Sequence, residues 1–510
     1  MTALLERAQS GGPVGRRLTG KLDPLATFAA LKPDVPAERL LFEGKDGPTL
    51  LMQAAAVRIE CRGETATLAA LTPNGRSLLR TIAVQLGADA DGGTLALHLP
   101  PSRSHDAEER LQAHTPLHAL RLLLRNVMSQ SDDPFTVAAV GIVAFYYAAI
   151  TEDLAPNPED PLGFPDYLFW IPESLLLFDA EGRARILCAA FPDPEPKRTE
   201  RNHHDAVARL TRLVEQCAAP MPAIAPAEPR RSEPACDLDD TRFAELVAGL
   251  KEEIAAGEVY QIVPSRTFRA PCRAPLSAYA ALRHLEPGAY RFFVEGRDFV
   301  LLGASPETSV RVSVKDGARE VEVRPIAGTR KRGGTADEDD RIEADMRLDG
   351  KELAEHMMLI DLARNDVARL SISGTRRVAR LLTVERYARV MHLVSSVTGR
   401  LRPELDALHA LDACLNVGTL TGAPKIRATE LLRQTERTRR GPYGGAIGWL
   451  SGAGEMDTAV VIRSALIRGG LAHVRAGAGV VHDSDPLAEA EETRRKASAL
   501  LSILGGEAGR

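Results

Sequence analysis

Four glutamates, two to a segment, are the side chains of this 510-residue chain best suited to chemistry. Glu352 and Glu355 stand three residues apart, Glu489 and Glu492 repeat the spacing, and Lys496 follows one turn later. On a helix, positions i and i+3 share a face, so each segment presents two carboxylates side by side. Such pairs are most often a solvated helix face. The functional alternative is that two helices carry both pairs to one Mg2+, a hard ion that takes oxygen ligands and keeps waters for a substrate oxyanion. Whether the two helices meet is a question of fold.

Two glycine-rich segments lie in the same half. GTLTGAPK at 418–425 precedes a helical pattern and could turn backbone N–H groups toward an anion. It lacks the spacing of a nucleotide-binding loop. AGAGV at 476–480 allows a backbone to approach a ligand closely. Taken singly, each reads more simply as a tight turn.

The elements that must position these groups follow from pattern. Residues 299–302 and 308–314 read as strands with a Lys315-Asp316-Gly317 turn after them, and 321–325 as the returning strand. Residues 351–369 have helical spacing, with Leu353, Met357 and Ile360 as an apolar stripe. Residues 459–467 are β-branched and predict one strand. Residues 486–504 predict a helix with Asp485 as N-cap and Pro486 in its first turn. Strands and helices in irregular order predict an α+β fold. The proline-rich stretch 218–236 reads as a linker between an N-terminal region, 1–217, and a C-terminal region, 237–510. Residues 155–166 read as a surface loop.

Composition excludes several classes. Hydrophobic residues make up 44% and charged residues 26%, as in a soluble globular protein. The net charge of -5 gives no electrostatic case for nucleic acid or an anionic membrane. Residues 1–20 lack the apolar core of a secretory signal, and the run 137–150 is too short to span a bilayer, so a cytoplasmic location is expected. Six cysteines without CxxC spacing predict reduced thiols rather than a disulfide framework.

Read in order, a series of segments resembles the large subunits of anthranilate synthase. They are GEVYQIVPSR at 257–266, GASPE at 303–307, PIAGTR at 325–330, DLARND at 361–366, VMHLV at 390–394, the 418–425 turn, 441–448, VIRSA at 461–465 and 476–481. The N-terminal region matches more loosely, through residues 40–43 and 164–167. The resemblance implies two large antiparallel sheets in a sandwich with flanking helices, and an interwoven chain. It implies chorismate as substrate, Mg2+ as cofactor, and a separate glutamine amidotransferase small subunit as ammonia donor, since no Cys-His-Glu glutaminase module is recognised here.

It also implies roles. Glu355 and Glu492 would bind Mg2+ directly, with Glu352 and Glu489 holding its water shell. Tyr443 and Arg463 would clamp the enolpyruvyl carboxylate, helped by the backbone of Gly477, Ala478 and Gly479. Gly328 and Thr329 would meet the ring carboxylate, and Thr419 and Lys496 would line the site. Glu307 would protonate the departing hydroxyl, and His392 would serve the later loss of pyruvate. Relatives that aminate at C4 or add water carry a lysine where this chain has Ala327 or Gln261. Their absence points to imported ammonia attacking C2.

Some positions depart from the pattern. Gly44 replaces a serine of the tryptophan-effector signature, and Ala289-Tyr290-Arg291 replaces Pro-Tyr-Met. Losing one buried hydrogen-bond partner costs about 1–3 kcal/mol, so weak or absent tryptophan feedback is expected. Anthranilate made without that feedback would suit a secondary product as well as tryptophan. Tyr146-Tyr147 stands where Tyr-Asp is usual. Two other readings stay open: a 2-amino-2-desoxyisochorismate synthase that stops before pyruvate loss, and a non-catalytic chorismate-binding paralogue.

Overall fold

The computed structural model describes residues 13–33, 38–88, 91–126, 133–152, 154, 159–229, 234–286, 288–387 and 390–504. Two long strands organise it. Thr49–Arg62 and Tyr167–Phe178 pair antiparallel along their lengths, with register shifts between Met52 and Val57. From the first strand one arm runs through Arg39–Gly44, Tyr290–Glu295, Val300–Ser305, Ser464–Arg468 and Leu471–Gly477 to Ser265–Pro271. From the second, another arm runs through Ala138–Val143, Ala446–Ser451, Met456–Val460, Thr308–Lys315 and Ala318–Val323 to Val390–Arg400. The two expected sheets are therefore arms of one hydrogen-bonded network, of 21 strands among the described residues.

Period-2 alternation explains why the arms stack. Leu40 and Phe42, Phe292 and Val294, and Leu301 enter the core between the arms. There they meet Val140, Ile142, Leu168, Trp170 and Ile447 from the other arm. The intervening Leu41, Phe293 and Leu302 point outward, under helices that contribute Phe28, Leu213, Leu282 and Leu500. The second arm's outer face carries Ala139, Val143 and Phe169 beneath Leu79, Leu123, Ile360 and Leu411. Both outer faces are thus helix-covered, which gives the sandwich its flanking layers.

Most elements match the sequence pattern, and the differences have physical causes. The Gly350–Leu370 helix forms and is capped by Asp349, whose carboxylate accepts from the N–H groups of Lys351 and Glu352. Of the expected stripe, Ile360 is buried and Leu353 partly buried, but Met357 is not. Met357 is 48% exposed, while His356, Leu359, Ile360, Ala363 and Val367 face inward. His356 holds that inward position through Nε2 and Ser395 Oγ, 2.7 Å apart. The Pro486–Leu504 helix starts as expected, Ala488 N–H donating to Asp485 at 2.8 Å. The single strand expected over 459–467 is instead two, Met456–Val460 and Ser464–Arg468.

The proline-rich stretch follows the Pro196–Ala218 helix and has no regular structure from 219 to 229. Ala227 is nonetheless buried and its N–H donates to Ser277 O at 2.9 Å. Strands from before and after this stretch alternate within both arms. Residues 155–158 of the expected loop, 230–233 of the expected linker and the first 12 residues of the presumed non-signal start lie outside the described residues. Tyr147 is fully buried beside Tyr167, a place where a carboxylate would lie desolvated. All six cysteines are free. Among the described residues, no helix is long and apolar enough to cross a membrane.

Candidate active site

The two arms exchange strands at one level, and the site is built there. Val300–Ser305 leaves its arm and re-enters the other as Thr308–Lys315. Met456–Val460 crosses the opposite way into Ser464–Arg468. Gly303 pairs with Ser464 on one side of the break and Thr308 with Ala459 on the other. Between them the ladder lapses. Val460 N–H reaches Glu307 O at 3.0 Å, and Ala304 N–H reaches Arg463 O at 3.2 Å. Arg463 takes a left-handed backbone with φ of 46°, which costs a non-glycine residue about 1–3 kcal/mol. The break thus sets Glu307 and Arg463 at the same level of the sandwich.

A cavity of 1160 Å³ opens at this level. Glu352 and Glu355 line it from the Gly350–Leu370 helix, and Glu489, Glu492 and Lys496 from the Pro486–Leu504 helix. The two helices therefore do present their carboxylates to one space. Gly328, Thr329 and His392 line a second wall from neighbouring strands, and Thr419, Arg463, Gln261 and Gly479 complete it. Gly328 has φ of +63°, and a Cβ there would stand 3.1 Å from Glu352 Oε2, so a side chain would press on the carboxylate.

Four expected site residues lie behind this lining. Glu307 is 6% exposed and reaches the wall through Thr419, whose Oγ1 donates to its Oε1 at 2.7 Å. Tyr443 is buried behind Gly477, a Cβ on which would lie 3.2 Å from the Tyr443 hydroxyl. Ala478 is fully buried and its N–H is engaged by Pro264 O at 3.1 Å. Gly477 carries the carbonyl that accepts from Lys496 Nζ at 3.0 Å. Of the three backbone positions at 477–479, Gly479 alone lines the cavity.

Charge is distributed unevenly. Burial drives the Glu307 carboxyl up to about 7, against the opposing pull of the Thr419 hydroxyl and Lys496. Burial and the nearby Arg463 guanidinium push His392 down to about 4, so its imidazole is neutral near neutral pH. Its Nδ1 stands 3.0 Å from Thr329 Oγ1. Glu355 is raised by burial and by the charges of Glu352 and Glu492, and Glu489 by burial and Glu492. Four carboxylates lining one cavity form the hard, anionic oxygen set that suits Mg2+. Cationic and amide groups of the chain hold them apart: Arg330 pairs with Glu352 at 2.9 Å, Lys496 with Glu492 at 2.8 Å, and Gln261 Nε2 donates to Glu355 at 2.9 Å. No cluster of three or more His, Cys, Asp or Glu is already gathered at metal-holding distance among the described residues.

Sequence pattern did not find the buried network beneath the cavity. Glu436 accepts from Arg440 at 2.7 Å, from Arg475 at 2.9 Å and from Ser265 N–H at 2.8 Å. Arg440 also donates to Leu420 O and Val263 O, each at 2.7 Å. One ion cluster thereby ties together the three backbone segments that carry Gln261, Thr419 and Gly479. Glu436 and Arg440 are an i, i+4 pair, the only local hint, and such pairs usually lie on a helix surface.

The residues of the effector signature meet in the first arm. Gly44 faces Tyr290, and Glu43 faces Arg291. Glu43 is 4% exposed and accepts from Tyr279 at 2.6 Å, Arg283 at 3.0 Å and Arg291 at 3.3 Å. Arg291 thus closes a charge cluster of the chain's own. Lys45 N–H donates to Ala289 O at 2.8 Å, fixing the neighbouring turn.

Comparison with known proteins agrees in sequence and in shape. Residues 88–502 match the family model described as chorismate binding enzyme. The chain is 46% identical to the pyocyanine-specific anthranilate synthase component 1 of Pseudomonas aeruginosa, covering 92% of this chain and 90% of that protein. It is 42% identical to anthranilate synthase component 1 of Escherichia coli, with 94% of each covered. The crystal structure of anthranilate synthase component I from Streptococcus pneumoniae superposes with a TM-score of 0.70 at 29% identity, covering 95% of this chain and 99% of that one. The menaquinone-specific isochorismate synthase of Escherichia coli shares the fold, with a TM-score of 0.66 at 18% identity over 99% of this chain and 98% of that one.

Proposed function

The chain belongs to the chorismate-binding enzymes, and from that premise we propose that it is an anthranilate synthase large subunit, converting chorismate and ammonia to anthranilate, pyruvate and water. The observation that carries this reading is Glu307: a buried carboxyl, protonated up to about pH 7, at the break in the sheet where the cavity also receives Arg463. A protonated acid whose neighbouring amine, Lys496, is engaged by Glu492 fits amination with an imported nucleophile. Gln261 and Ala327, where relatives place lysines, carry no amine base.

In this mechanism Arg463 binds the enolpyruvyl carboxylate with its planar fork. The four glutamates would hold Mg2+, which when bound neutralises the ring carboxylate and withdraws charge from the ring. Glu352 and Glu492 would give up Arg330 and Lys496 to do so. Ammonia forms its bond to C2 as the bond from C4 to the hydroxyl breaks. Glu307 gives the departing oxygen its proton, and water leaves. The new ammonium sheds a proton, which restores Glu307. The C2 proton and the enolpyruvyl group then depart, leaving the aromatic ring and pyruvate. The neutral His392, held by Thr329, is the group of this wall available for that transfer. Ammonia is supplied in the cell by a second component, which we take to be a glutamine amidotransferase.

Anthranilate and pyruvate are expected in equal amounts from purified chain, chorismate, Mg2+ and ammonium. Amination without pyruvate would instead identify a 2-amino-2-desoxyisochorismate synthase, and no turnover a binding protein.

Feedback follows from the Glu43 cluster. An amino-acid effector would need its ammonium matched by a free carboxylate, and Glu43 is already shared by Tyr279, Arg283 and Arg291. Tryptophan is expected to leave the initial rate unchanged at concentrations up to about 1 mM, the scale of weak association near 4 kcal/mol. Inhibition in the micromolar range would show that the effector displaces Arg291.

A further inference from the structure

Glu286 is the C-cap of the Pro275–Leu285 helix. A carboxylate there meets the negative end of the helix dipole and gains nothing from it. Among the described residues its side chain makes one polar contact: Oε2 accepts from Arg463 Nη1 at 2.6 Å. Both residues line the cavity, with side chains 27% and 28% exposed. The local backbone is placed by another feature. A Cβ on Gly288 would stand 2.8 Å from Ser305 O, so Gly288 lies directly on the strand end that precedes Glu307. The ion pair is therefore not what seats Gly288 against the strand.

The contact is one-sided. Among the described residues Arg463 has no other side-chain partner, so Nε and Nη2 remain available. A guanidinium binds a carboxylate best through two parallel N–H groups on one edge. Holding it by Nη1 leaves the Nε–Nη2 edge whole and fixes the direction in which it points.

We propose that Glu286 is a positioning residue for the substrate: it holds Nη1 so that the Nε–Nη2 edge of Arg463 is presented to the incoming enolpyruvyl carboxylate. This rests on the reading of Arg463 as the carboxylate clamp. A carboxylate that merely competed with the substrate for Arg463 would have the opposite effect on affinity.

The test compares wild type, Glu286→Ala and Glu286→Gln in steady-state kinetics with chorismate and ammonium. Glutamine keeps an acceptor oxygen at the same reach without the charge. Losing the charged hydrogen bond in Glu286→Ala is expected to raise KM for chorismate about tenfold with kcat changed less than about twofold. Glu286→Gln is expected to return KM to within about twofold of wild type, a rescue that a purely structural role would not predict. In an Arg463→Ala background, Glu286→Ala is expected to add nothing to KM. An unchanged or lowered KM in Glu286→Ala, or a failure of Glu286→Gln to rescue, overturns the proposal. A wild-type chain that does not convert chorismate overturns the underlying reading instead, before any variant is compared.

Discussion

Replacing Glu307 with glutamine is expected to lower kcat about 10²- to 10⁴-fold, the usual worth of a general acid. Glutamine can still accept from Thr419 but has no proton to give at the leaving oxygen. The pH profile should change with it. Glu307 is raised by burial from 4.5 to about 7, so in the wild type the protonated, active form is lost as pH climbs through about 7. The alkaline limb of kcat that this loss produces should be absent from the residual activity of the variant. Stability moves the opposite way. A carboxyl whose folded pKa lies above its unfolded value is least costly when protonated, and folding is penalised as pH rises past the unfolded pKa toward the folded one. The full shift corresponds to about 3 kcal/mol. The glutamine variant is therefore expected to match the wild type in urea denaturation near pH 5 and to exceed it at pH 8. Lost activity with retained or increased stability separates a chemical role from a structural one. Wild-type kcat in the variant would remove Glu307 from the mechanism.

Replacing Glu492 with alanine is expected to weaken Mg2+ binding and to lower kcat/KM about 10²-fold or more, the several kcal/mol that a bound metal supplies. Glu492 is now held below the ordinary carboxylate range by Lys496, despite its burial. Its removal leaves Lys496 without that partner beside the remaining carboxylates. Titration calorimetry with Mg2+ reads the loss without reference to turnover. Chelation of the wild type should abolish activity and added Mg2+ should restore it. A Glu492→Ala chain with ordinary Mg2+ affinity and turnover would place the metal elsewhere.

The two carboxylate pairs and the strand alternation were legible because each is local. A helix carries i and i+3 on one face whatever surrounds it, and Leu40, Leu41 and Phe42 alternate between cores as any half-buried strand must. The sheet break was not legible. Val460, Val461 and Ile462 are β-branched and read as uninterrupted strand. What stops the ladder is the crossing of two strands between arms, a long-range event. Met357 misled for a related reason: helical spacing names a face, but the sheet beneath selected His356 and its bond to Ser395. The partners that tune the site are also distant in sequence. Gln261 and Glu355 lie 94 residues apart, and Glu286 and Arg463 lie 177 apart. Resemblance placed Arg463 in the site, and only the fold supplied the carboxylate that holds it.

The two departures from the expected effector signature differ in their structural surroundings. Gly44 alone removes a hydroxyl, and a Cβ at that position would have room, 3.8 Å from the Tyr290 ring. Arg291 does more, because it brings a cation into the cluster around Glu43. Restoring serine at 44 alone is therefore not expected to restore tryptophan sensitivity.

The central claim is that this site joins ammonia, not water, to chorismate at C2. The most direct measurement supplies isotopically labelled ammonium as sole nitrogen source with chorismate and Mg2+, and identifies the product by mass. Anthranilate carrying the label is the predicted result. Isochorismate, salicylate or any other nitrogen-free product would contradict the account.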